Sequence, residues 1–304
     1  MKFKELGLQD IERLRPYFTA NDERICDATV GYTFMWRDMC RTEYAIERGV
    51  LFLKANYRPG ATGFAPPRCQ DGPLCREHFA KIEDYCREHG LPPRLCSVPS
   101  GLLETVRQLC PGARETTDPA WSDYIYNAED IVTLAGRRYS GQRNHINKFR
   151  KTYEDWRFET VSDGNIAQVR EFFASYAREH TRDDDAYEEG NLKALEVIDN
   201  MEAYGQLGGA LFVGDSIAGA AFGETVGDTL FVHTEKALTE FNGAYPMLVN
   251  QFAQKYAGDG KIKYINREED DGVEGLRISK QSYHPCALLE KYVVEWDAAG
   301  SARG

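Results

Sequence analysis

The chain has 304 residues, 42 % of them hydrophobic and 28 % charged, which suffices to bury one large or two medium cores. A formal net charge of −11 makes the surface as a whole repel nucleic acid and anionic lipid unless a local basic patch intervenes. No apolar run reaches about 18 residues and the opening MKFKELGLQDIERL lacks a signal-peptide pattern, so the sequence predicts a cytoplasmic protein without a membrane-spanning part.

In chain order, residues 6–17 read as a first helix, with Ile11, Leu14 and Phe18 at helical spacing. Residues 43–56, EYAIERGVLFLKAN, predict two strands turning at Arg48-Gly49, followed by a Pro/Gly/Ala-rich loop over 57–73. A helix over 75–88, a short strand over 96–100 and a helix over 101–109 come next. Residues 121–127 read as the last strand of a first half, which places one domain at 1–128 and a second at 129–304. Seven of the eight cysteines fall in the first 110 residues. No pair has the two-residue spacing of a zinc knuckle, so they read first as free buried thiols, with a metal site or redox pairing as the alternatives and no disulfide framework expected.

The second half opens on a basic helix, residues 137–153, carrying Arg137, Arg138, Arg143, His145, Lys148, Arg150 and Lys151 with almost no acids. Ile146 and Phe149 turn inward, while Arg143, Asn147 and Arg150 or Lys151 fall on neighbouring faces, and the helix reads as a docking surface for phosphate or as a merely solvated face. A strand over 156–161 and a helix over 165–180 lead to the acidic connector Arg182-Asp183-Asp184-Asp185. It lacks the spacing of a calcium loop and reads as solvated. After a helix over 192–201, three strands follow, 210–213, 217–225 and 229–235, the first two joined by a turn at Gly214-Asp215 that repeats the first half's hairpin. Glu224 stands alone among small and apolar residues, where burial would suit a general base unless a cation such as Arg267 or Arg277 pairs with it. His233 and Glu235 share a face by the period of two, with Lys236 beside them. His233 is either a proton shuttle or a buried, hydrogen-bonded histidine. A helix over 245–256 returns the chain to a strand at 262–265.

That strand runs into Asn266-Arg267-Glu268-Glu269-Asp270-Asp271-Gly272. Asp271 and Glu274 have the spacing of a capping box, opening a helix over 273–282 that sets Arg277 and Lys280 one turn apart. His284-Pro285 stops it, and residues 288–294 close as a strand. Ligands of open α/β sheets sit beyond the strand ends, where Asn266, Arg267 and Glu268 lie.

The motifs INREED, G-x-E-G-L-R at 272–277 and K-x-S-Y-H-P at 280–285 are joined by Y-x-x-x-R-N-H-I-N-K-F at 139–149, Y-G-x-L-G-G-A-L at 204–211 and H-T-E-K-A at 233–237. With these the chain resembles a bacterial family grouped with the C-terminal domain of phosphatidylglycerol lysyltransferases, enzymes that move an aminoacyl group from tRNA to a lipid. The resemblance implies a pair of acetyltransferase-like (GNAT-like) α/β domains, with mixed central sheets flanked by helices. In that fold a glycine-rich loop holds the coenzyme A pyrophosphate. The equivalent residues 239–244, TEFNGA, are poorly made for it, which favours aminoacyl-tRNA over acyl-CoA as co-substrate.

No nucleophile elbow, P-loop or dinucleotide fingerprint is present, so the sequence predicts direct acyl or aminoacyl transfer to an amine or hydroxyl, on a small molecule or a lipid head group. The candidate bases are Glu224 and His233, and Asn266 and Tyr283 are candidate donors to a developing oxyanion. Arg143, Lys148, Arg277 and Lys280 would hold phosphate, and Asn147, Glu235, Lys236, Arg267, Glu268 and His284 complete the substrate contacts. No metal site is implied, and the basic helix is the candidate contact for tRNA. The competing reading is a non-catalytic ligand-binding protein. A pocket holding Glu224, Asn266 and Arg277 together favours the enzyme, and mutual ion pairs favour the scaffold.

Overall fold

The computed structural model describes residues 1–19, 23–58, 61–181 and 185–297, so the acidic connector at 182–184 lies outside the described residues. The chain divides into two compact units, Met1–Ser122 with the segment from Leu289 onward, and Asp123–Leu288.

The first unit carries a mixed sheet in the order Lys4–Glu5, Glu43–Glu47, Val50–Arg58, Ala61–Phe64, Arg94–Pro99, Lys291–Glu295 and Arg114–Thr117, with Arg68–Cys69 paired on Val50–Arg58. Arg48 and Gly49 take φ of 50° and 77°, the left-handed pair that a two-residue hairpin needs to match strand twist. The loop expected over 57–73 contains the strand Ala61–Phe64, whose residues pair antiparallel with Val50–Arg58. Helix Arg76–His89 ends at Gly90 in the left-handed conformation and buries Phe79 and Ile82 against Phe64, Leu95, Val98 and Val294.

The second unit's sheet runs Ala287–Leu289, Asp123–Asn127, Tyr264–Asn266, Thr229–Ala237, Ser216–Val226, Leu207–Val213 and Trp156–Thr160. Asp123–Asn127, expected to end the first half, instead pairs antiparallel with Tyr264–Asn266, and Lys291–Glu295 pairs in the first unit's sheet. Local pattern marks a strand but does not choose its partner. Thr229–Ala237 and Tyr264–Asn266 are parallel, joined through helix Ala244–Ala257, which buries Met247, Leu248 and Phe252 against Leu230, Val232 and Ile265. Helices Ile166–Glu179 and Asp185–Asp199 cover a second core with Phe172, Phe173, Ala194, Ala220 and Phe222. Among the described residues no helix is long and apolar enough to cross a membrane.

Candidate functional site

The site is organised by one irregularity. Phe222 pairs with Thr234 and the next residue, Gly223, with Val232, so His233 is the extra residue of a β-bulge. Gly223 is required there: a Cβ would lie 2.2 Å from the Phe231 carbonyl oxygen. The bulge breaks the alternation that would put His233 and Glu235 together. Glu224 is opposite Phe231 and Glu235 opposite Ala221, and positions 221 and 224 of one strand lie on opposite faces.

His233 goes with Glu224. Its Nε2 lies 2.9 Å from Glu224 and its Nδ1 2.7 Å from Glu268, with side-chain exposures of 1 %, 7 % and 16 % for His233, Glu224 and Glu268. Burial alone would lower the imidazole's pKa, but hydrogen bonds to two carboxylates and their charges raise it from 6.5 to about 10. At neutral pH it is therefore an imidazolium donating from both nitrogens. Burial pushes Glu268 up to about 7, against the His233 hydrogen bond that lowers it. Glu268 also sits at φ 58°, a left-handed conformation uncommon outside glycine. Asn266 Oδ1 fixes it by accepting its N–H at 2.6 Å. Farther along the strand, Lys236 lies over the rings of Tyr187 and Tyr176, 4.6 and 5.2 Å from their centroids.

Glu235 turns to Arg267, which donates to it from Nε and Nη2 at 3.0 and 2.6 Å and to Tyr245 Oη at 2.7 Å. The expected partner of Glu224, Arg267, is thus engaged by Glu235. Arg267 is buried, with its guanidinium carbon 5.0 Å from the Tyr283 ring centroid. Its Nη1 and the Tyr283 hydroxyl are buried without a hydrogen-bond partner, and burial raises the Tyr283 pKa far above the usual phenol value. Arg267 and Glu235 form the polar wall of a small pocket with room for about one water, otherwise lined by apolar side chains including Leu230, Val249 and Phe252.

The remaining candidates shape the loop from Asn266 to Gly272. Asn266 donates to Asp123 at 2.8 Å. Arg277 donates to Asp270 at 2.9 and 3.0 Å, and Asp270 also accepts from Tyr124 Oη at 2.6 Å and from the Gly272 N–H at 2.8 Å. The helix Glu274–Gln281 is preceded by Val273 with no side-chain cap. Asp270, and not the expected Asp271, makes the local turn, because Asp271 takes a left-handed φ of 49°. Lys280 Nζ donates to the carbonyls of Arg267 at 2.6 Å, Glu268 at 3.2 Å and Glu269, and burial lowers its pKa. Glu224, Asn266 and Arg277, expected around one cavity, therefore have separate partners: His233, Asp123 and Asp270. His284 accepts no such role; its Nε2 meets the Arg138 carbonyl at 3.1 Å at an exposed turn. Tyr245, Tyr124 and Asp123 carry no local signal, because each acts through a partner remote in the chain, and Asp270 stands in the polar run with no role that its neighbours reveal.

The basic helix is Ser140–Thr152. Asn147 and Lys148 are exposed, whereas Arg143 folds back onto the carbonyls of Leu134 and, at 2.6 Å, Gly136. In the loop before helix Ala244–Ala257, the Asn242 N–H donates to Tyr153 Oη at 3.2 Å and the Ala244 N–H to Phe241 at 2.9 Å. Gly243 takes φ 90°, and a Cβ there would lie 2.6 Å from the His145 carbonyl oxygen. Its glycine serves close packing of the basic helix.

Two mixed, helix-flanked sheets of this kind define an α/β protein with acetyltransferase-like units in tandem; a solved FemX structure matches with a TM-score of 0.58 and 10 % identity over 97 % of each chain. The chain belongs to the family described as phosphatidylglycerol lysyltransferase, C-terminal, whose model matches residues 18–295. A crystal structure of a conserved protein of unknown function from Bacteroides thetaiotaomicron is 30 % identical, with a TM-score of 0.89 over 98 % of this chain and 100 % of that one. The L-PGS structure from Bacillus licheniformis matches at 12 % identity and a TM-score of 0.62, over 94 % of this chain and 91 % of its own. An uncharacterised protein of Mycoplasmoides gallisepticum is 24 % identical over 57 % of this chain, and the match spans 56 % of that relative's length.

Proposed function

We propose that the chain transfers an activated acyl group, with aminoacyl-tRNA the preferred donor, to an amine or hydroxyl by direct attack, and that Glu268 takes the acceptor's proton. The observation that carries this reading is Glu268 itself. It is the most exposed member of the Glu224–His233–Glu268 triad, is held in an uncommon conformation, and burial raises its carboxyl toward neutrality, the range in which a general base works best. His233, held as the imidazolium, is a positioning residue here, as is Glu224. The crowded loop at Asn242–Ala244 supports the choice of donor, since the amides of Asn242 and Ala244 are already engaged. Exposed Lys148 supports a phosphate contact on the basic helix. The test is acyl transfer from labelled aminoacyl-tRNA pools to a panel of amines and lipid head groups, comparing the wild type with Glu268→Gln. Loss of transfer with retained tRNA binding supports the role; transfer at the wild-type rate overturns it. Saturable coenzyme A binding would instead favour an acyl-CoA donor.

A second reading, a ligand-binding scaffold without catalysis, is favoured by the mutual pairing of Glu224 with His233, Glu235 with Arg267 and Asp270 with Arg277. Binding of an aminoacyl acceptor without turnover from any donor would support it.

A further inference from the structure

Group transfer in the second unit leaves the cysteines of the first unit without a role, and two of them meet one histidine. Cys69 ends the strand Arg68–Cys69, Cys75 immediately precedes helix Arg76–His89, and His78 lies in that helix's first turn. Cys69 Sγ is 3.7 Å from His78 Nδ1, and Cys75 Sγ is 3.5 Å from His78 Nε2. The Cys75 backbone N–H lies 3.3 Å from Nδ1. An amide can only donate, so Nδ1 is the acceptor nitrogen and the ring proton resides on Nε2. The imidazole is then set to receive a proton from Cys69 on one side and to give one toward Cys75 on the other. Cys75 is exposed and Cys69 half-buried. The connecting residues 70–73 are exposed, and at Gly72, with φ of 79°, an added Cβ would meet no atom within 4 Å. Leu74 packs against the core that holds Phe79 and Leu95, so the approach of the two sulfurs would be taken up by residues 70–73.

We propose that Cys69 and Cys75 form a dithiol–disulfide pair that a hydroperoxide oxidises, with Cys75 reacting first and His78 carrying the proton. In the first step the Cys75 sulfur attacks the hydroperoxide and the O–O bond breaks. The thiol becomes a sulfenic acid, and its proton leaves with the reduced oxygen as an alcohol. In the second step Cys69 gives its proton to Nδ1 and its sulfur attacks the Cys75 sulfur. The S–O bond breaks, and the departing hydroxide takes the Nε2 proton to leave as water. One peroxide is reduced, two thiols are oxidised, and His78 ends neutral in its other tautomer.

The experiment uses the full chain and one equivalent of tert-butyl hydroperoxide, followed by alkylation and peptide mass mapping. Both cysteines fall on one tryptic peptide, residues 69–76, which should lose two hydrogens and escape alkylation while exposed Cys286 remains a thiol; dithiothreitol should reverse the change. Cys69→Ser should stop at a Cys75 sulfenic acid that dimedone traps. His78→Asn should slow ring closure about a hundredfold, the scale of general acid–base assistance, with a smaller effect on the first oxidation. His78→Gln serves as the second variant if His78→Asn does not fold. Oxidation of Cys75 no faster than Cys286, or closure at the wild-type rate without His78, overturns the proposal.

Discussion

Replacing His233 with leucine tests whether the triad is an ion network. The substitution keeps much of the volume but leaves Glu224 and Glu268 facing a site that contained a cation, at side-chain exposures of only 7 % and 16 %. The rise of the imidazole from 6.5 to about 10 corresponds to about 5 kcal/mol at about 1.4 kcal/mol per pH unit. Removing one member of a buried pair costs about 3–5 kcal/mol by itself. His233's value is raised on folding, so its stabilisation is complete below 6.5 and is lost as pH rises through about 10. Urea denaturation of the full chain, followed by circular dichroism, should show His233→Leu destabilised by about 3–5 kcal/mol at pH 7. Adding Glu268→Gln to His233→Leu should recover part of the loss at pH 7. No recovery in the double variant, or a loss under about 1 kcal/mol at pH 7, the level of an exposed pair, would refute the reasoning.

Transfer activity should rise with pH as Glu268, raised by burial, loses its proton, read as wild-type initial rates across a buffer series; a flat profile would count against Glu268 as the base. Gly223→Ala should unfold the bulge: its Cβ would meet backbone oxygen at 2.2 Å, with no flexible group to yield. A loss of about 3 kcal/mol or more is expected from such overpacking, read by thermal melting. Arg277→Ala should release Asp270, whose carboxyl is held below its usual range because hydrogen bonds from Arg277, Tyr124 and Gly272 outweigh burial. A lowered carboxylate stabilises above its unfolded value and less as pH falls through the folded one. The variant should therefore lose most stability near neutral pH and converge with the wild type in acid, as followed by urea midpoints. Lys148→Ala, exposed on the basic helix, should leave the melting temperature unchanged and weaken tRNA binding, with a shallower salt dependence in filter binding.

Local signals in the chain were enough for many elements. Arg48-Gly49 and Gly214-Asp215 mark hairpins because two-residue turns demand left-handed backbone; both turns are present. The spacing of Ile146 and Phe149 marks the buried face of the basic helix, because helical periodicity is a property of neighbouring residues. Sequence also singled out Glu224, His233, Glu268 and Arg267 as chemically unusual. It could not pair them. Period-two alternation put His233 with Glu235, whereas an extra residue at position 233 turned His233 to Glu224 and left Glu235 to Arg267. A bulge is a property of two strands in register, and no residue type announces it. In the same way Lys280 looked like a phosphate ligand until the loop it follows presented three carbonyls to it. Asp123–Asn127 read correctly as a strand, but its place beside Tyr264–Asn266 is a long-range pairing that local pattern does not encode. Composition and local geometry thus determined which residues carry charge into the core. Only tertiary pairing decided which charges neutralise each other, because partners such as His233 and Glu268 meet through long-range strand register.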